Sequence, residues 1–163
     1  MTGAAPQIFV ALEGSGLGLA IRNSVWAYPI ANILHVVALT IFAGAITVMD
    51  LRLAGVFAAT RPADVVVPAR RVVLAALAVL MLTGLVLFTA EASHVVLNPV
   101  FLIKAALIAC GVFNAIIFGQ IPAADLAALK PGEALPNRVR RAAYASLAIW
   151  LSVALCGRMV AYV

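Results

Sequence analysis

Four long apolar stretches constrain this chain more than any other feature, because each matches the ~20 residues an α-helix needs to cross a bilayer. They run from about Trp26 to Met49, from Val72 to Ala90, from Pro99 to Gly119 and from Ala142 to Val163. Hydrophobic residues make up 66% of the chain and charged ones only 10%, where a soluble domain carries roughly 25% charged residues. Lipid must therefore solvate most of the surface. The expected fold is all-α: one membrane domain spanning 1–163, built as an integral membrane four-helix bundle. Pro29, Pro62, Pro68, Pro99, Pro122, Pro131 and Pro136 lie at or near stretch boundaries, where first helical turns and loops tolerate proline. Gly44, Ala45, Gly84, Ala105, Ala106 and Gly111 are small enough to let helices approach closely in lipid.

Charge sets the expected direction. Arg52, Arg61, Arg70 and Arg71 flank the first connection, and Lys130, Arg138, Arg140 and Arg141 flank the third. Only Arg22, Lys104 and Arg158 belong to the opposite face. The positive-inside bias then puts both termini on the non-cytoplasmic side, the periplasm of a bacterial inner membrane. Basic residues placed this way report topology and a contact with anionic lipid, not with nucleic acid. Residues 1–23 lack the positive start of a secretory signal, and Glu13 with several glycines interrupts them. They read as an interfacial segment, helical around Ala5 to Leu12.

The run Ser24-Val-Trp-Ala-Tyr-Pro-Ile-Ala-Asn-Ile-Leu-His35, followed by Gly44 and Asp50-Leu-Arg-Leu-Ala-Gly55, resembles an uncharacterised family of small bacterial four-helix membrane proteins. Asn98-Pro-Val-Phe-Leu-Ile-Lys104, with Asn114 beyond it, resembles that family's third helix. This half is also similar to the membrane domain of CopD-like copper-resistance proteins. The likeness implies copper handling or, more loosely, a relation to b-type membrane cytochromes.

Ionisable groups within a span are costly and usually face a bundle interior. His35 lies about nine residues into the first stretch, a depth of roughly 13 Å, and Lys104 and Arg158 lie roughly 8 Å from the same face. Arg22, Glu91 and His94 belong to that rim. A b-type haem fits such a layer: imidazole is its usual axial ligand, and cations above it pair with propionates. The cofactor-binding candidates are His35, His94, Lys104, Arg158 and Arg22, with His35 and His94 as metal ligands. His94 must fold inward to reach an iron opposite His35; otherwise haem is five-coordinate or takes a softer ligand such as Met159.

Plainer roles compete with these. His35 could simply bond to a neighbouring helix near Asn32 or Asn114, and Lys104 and Arg158 could snorkel to headgroups. Asp50 and Arg52 suit a structural cap or an ion pair. Trp26, Tyr28, Tyr144 and Tyr162 suit an interfacial belt, and Trp150 suits packing. Cys110 and Cys156, both in apolar stretches, suggest neither a disulfide framework nor a zinc site. The Gly14-Ser-Gly-Leu-Gly18 run has no strand before it and makes no dinucleotide loop. No hydrolase or transferase motif is present. Three functions follow: haem b electron transfer with a redox partner or quinone; transport or binding of an anion or copper, with His35, Cys156 and Met159 as soft contacts; or a structural subunit. A homo-oligomer through small-residue faces is compatible with all three.

Overall fold

The computed structural model describes residues 4–118, 123–133, 135–160 and 162. These are helical, with no strand among them. Two short helices, α1 (Gln7–Glu13) and α2 (Gly16–Asn23), precede α3 (Ala27–Ala54), α4 (Pro62–Val95) and α5 (Pro99–Phe118). A short α6 (Ala123–Ala128) and a long α7 (Asn137–Met159) complete the order. Helices α3, α4, α5 and α7 are long and apolar enough to cross a membrane. Their apolar side chains point outward all round, as lipid-solvated helices require. The expected ends at Gly119 and Val163 lie outside the described residues.

Helix α3 lies along α4, α5 lies along α7, and α3 joins the two pairs through α7. Bonds at both ends fix this antiparallel order. Arg140 Nε donates to Ala54 O at 3.1 Å, so the end of α3 meets the start of α7. Asn98 Nδ2 donates to Val160 O at 3.4 Å, so the start of α5 meets the end of α7. One end of the bundle thus carries both termini, and the other carries the basic connections.

The larger buried cluster among the described residues lies at the basic end, formed by Leu53, Ala54, Val66, Leu126, Leu135, Val139 and Ala143. Nearer the middle, Phe42 meets Trp150 edge to face at 4.6 Å. Trp150 lies so close to Gly111 that a Cβ there would sit 2.8 Å from its ring; Trp150 is a packing residue, as expected. Gly44, by contrast, has nothing within 4 Å of its would-be Cβ, and Ala105 and Ala106 are exposed. These three do not bring helices together within the monomer.

Helix α4 is interrupted once. At Glu91 the backbone leaves helical angles (φ −136°, ψ 26°), one residue after the expected span end at Ala90, and helix resumes to Val95. Such a break orphans a carbonyl on one side and amides on the other. The α1–α2 hairpin supplies both partners. Arg22 donates to Ala90 O from Nε at 3.1 Å and from Nη2 at 2.6 Å. Glu13 accepts from the Ser93 amide at 2.8 Å, from the Ser93 hydroxyl, and from Arg22. The segment expected only to lie on the membrane is therefore two helices docked on α4. Ser15 caps the second through the Gly18 amide. A Cβ on Gly18 would fall 2.4 Å from Glu13 O, so only glycine closes this hairpin.

Candidate functional site at His35

His35 faces α4, where its Nδ1 lies 2.8 Å from Thr83 Oγ1. The Thr83 hydroxyl donates to Val79 O at 2.7 Å, one turn back. With that proton on Val79 O, His35 donates from Nδ1–H to the threonine oxygen, the tautomer that keeps a lone pair on Nε2. The next residue, Gly84, keeps the ring close: a Cβ there would stand 3.4 Å from His35 Cε1. The partner is thus Thr83. Asn32 is exposed, and Asn114 donates to Ala142 O at 3.2 Å.

Lys104 on α5 and Cys156 on α7 complete the nest. The Lys104 ammonium lies 3.5 Å from the position a Gly157 Cβ would take. It sits within electrostatic reach of both His35 and Cys156. Each long helix thus contributes: α3 the imidazole, α4 its orienting hydroxyl, α5 a cation and α7 a thiol beside a glycine. Phe101 lies one turn from Lys104 towards the termini; its ring stacks on Phe88 at 5.6 Å, and Phe88 meets Phe9 of α1 edge to face at 5.9 Å.

The other expected site residues lie apart from this nest. His94 is exposed on the turn beyond the Glu91 break, eleven residues after Thr83, or roughly 16 Å along a helix. Arg22 is engaged with Glu13 and Ala90. Arg158 is exposed, bonded to the Tyr162 hydroxyl, with its guanidinium 4.7 Å from that ring's centre. Met159 is 49% exposed. Among the described residues, no three His, Cys, Asp or Glu side chains converge as a metal site. Outside the spans, hydrogen bonds from the Ser93 hydroxyl and amide, with Arg22 beside them, hold the Glu13 carboxyl below the usual glutamate range.

A second polar place lies at the basic end. Asp50 is 2% exposed and accepts from the Ser146 hydroxyl of α7, while its Oδ2 has no partner. Arg52 is 1% exposed and donates from Nη2 to Thr60 O at 2.7 Å. The ion pair offered for Asp50 and Arg52 is not formed. Two residues apart on a helix, they point to nearly opposite sides, and Arg52 instead caps the connection after α3.

Four helices long and apolar enough to cross a membrane, around a half-buried imidazole, are compatible with a multi-pass membrane protein with a polar nest near one end. The chain belongs to the family of unknown function DUF6644, which matches residues 11–163. No curated protein and no solved structure matches it.

Proposed function

We propose that this protein binds b-type haem and passes electrons within the membrane, with His35 as the iron ligand near the termini-bearing face. One observation carries the reading. Thr83 Oγ1 engages His35 Nδ1 at 2.8 Å, and metal-bound histidines are oriented in this way through their other ring nitrogen, which here would leave Nε2 for the iron. A single imidazole suits haem better than a bare metal ion, because the porphyrin supplies four of the ligands. Lys104 is the cation available to pair with a propionate. When bound, haem supplies one-electron chemistry; Thr83 orients the imidazole and Lys104 neutralises charge. His94 reaches this site only through a rearrangement of α4 beyond Glu91.

The resemblance of the Asn98–Lys104 half to CopD-like domains, which implies copper handling or more loosely a relation to b-type cytochromes, is compatible with this reading. We place the termini on the periplasmic side of a bacterial inner membrane, on the charge bias of the connections. One observation favours a second reading, an anion or copper site: the Lys104 ammonium beside Cys156, where a cation and a thiol attract different cargo from haem. An ultraviolet-visible spectrum of purified protein, oxidised and dithionite-reduced, separates the two. Haem binding gives a Soret band with sharp reduced α and β bands, lost in His35→Ala. Protein that stays colourless after expression with a haem precursor sinks the haem reading and turns attention to copper and anions.

A further inference from the structure

The hairpin of α1 and α2 does more than precede the bundle. No α1 residue is buried, and α2 buries only Gly18 and Ile21. So little burial against the bundle gives protein packing little hold on the hairpin. What fixes it is polar and local: Glu13 on Ser93 and Arg22 on Ala90, both across the break in α4. Phe9 adds one ring to the row it forms with Phe88 and Phe101. That row stands between the termini-bearing end and the nest. Phe88 is four residues from Gly84, and Phe101 is three from Lys104, so each lies about one turn above its nest neighbour.

We infer that the α1–α2 hairpin is a releasable strap, clamped at the Glu91 break, that closes the aqueous approach to the His35–Lys104–Cys156 nest. Its clamp is well suited to release. Water at the membrane surface satisfies Ala90 O and the Ser93 amide once the hairpin leaves, so opening strands no backbone group in lipid. Elements held by few buried contacts are those that open locally. Withdrawing Phe9 removes the one ring of the row that does not belong to a membrane-crossing helix. The strap controls access whichever ligand the nest holds, so it does not depend on haem.

The test is the rate at which a water-soluble, membrane-impermeant maleimide labels Cys156 in reconstituted protein, in a Cys110→Ser background. Cys156 is part-buried and belongs to the nest, whereas Cys110 is exposed on α5. The strapped protein is expected to label slowly. Glu13→Ala and Gly18→Val, which release the hairpin by different routes, each accelerate labelling about tenfold, the signature of a local opening made easier. Phe9→Ala loses only its ring contact and accelerates labelling less, while leaving the fold in place. Fast labelling of the strapped protein overturns the inference, and so does an unchanged rate in Phe9→Ala and Glu13→Ala together. Neither result bears on haem, which the spectrum reads separately.

Discussion

At the basic end of the bundle, arginines point at carbonyls. Arg52 donates to Thr60 O, Arg61 to Ala127 O and Arg140 to Ala54 O. They cap chain segments around the larger buried apolar cluster among the described residues. At the termini-bearing end Arg22 and Asn98 also reach carbonyls, but further polar groups meet side chains from other helices: His35 meets Thr83, Tyr28 donates to Glu91 at 3.0 Å, and Arg22 also meets Glu13. Burial there is thinner, and the cation in the nest, Lys104, is not ion-paired with any described carboxylate. One end is arranged to hold the fold, and the other carries the groups on which the proposed haem site rests. Buried polar groups alone would not reveal this division, since Asp50 and Arg52 are more deeply buried than His35.

Arg52→Ala should mark the difference most strongly. It empties a fully enclosed site and removes a cap, at a cost of about 3 kcal/mol, read by unfolding in mixed detergent and dodecyl sulfate. Lys104→Ala should cost less than about 0.5 kcal/mol by the same measurement. Equal losses would break the division between the ends. Gly111→Val comes next: a side chain driven into Trp150 should cost about 2 kcal/mol and separate α5 from α7. Distance measurements between labels on those helices would show it, and unchanged distances would mean the contact is slack.

Thr83→Val sharpens the comparison from the other side. Stability should fall by only about 1 kcal/mol for one buried hydrogen bond. Ligand affinity at His35 should fall about tenfold or more, because the imidazole loses the partner that orients it. Loss of stability with undiminished affinity would reduce Thr83 to a packing residue. The smallest effect concerns acid. Glu13 has a lowered pKa in the folded protein, so its contribution is complete above the ordinary glutamate pKa and disappears as pH falls through the lower folded value. Glu13→Gln should therefore differ from the unaltered protein at neutral pH and converge with it in that acid window. Parallel curves at every pH would show that the clamp does not rest on the charge.

The four membrane helices were legible because apolar length alone specifies them. Much of the rest depends on register between helices, which no local pattern carries. His35 stood out as an ionisable group in an apolar stretch. Its partner Thr83 did not, since a threonine within a helix ordinarily bonds to its own backbone, as Thr83 also does. The layer drawn from depth alone grouped Lys104 with Arg22 and Arg158. Side-chain direction separates them: Lys104 turns to the nest, and the other two are held at the rim by Glu13 and Tyr162. The glycines from Gly14 to Gly18 read as an interruption, when one of them is the close approach that lets α2 fold back on α1. The break at Glu91 carries no proline or glycine to announce it; its partners lie some seventy to eighty residues earlier in the chain.

The length of α4 has a consequence of its own. Its 34 residues would extend about 51 Å if straight, well beyond a hydrocarbon layer of about 30 Å. The excess is not free at either end. Beyond Thr83, α4 is tied to α3 and to the hairpin. At its start, Pro62 and Val66 are buried in the basic-end packing. A thicker or thinner bilayer is thus met by tilt of the helices together. The imidazole's partner Thr83 and the Glu91 break share one helix, so their spacing is set by the protein's own architecture and not by the lipid around it.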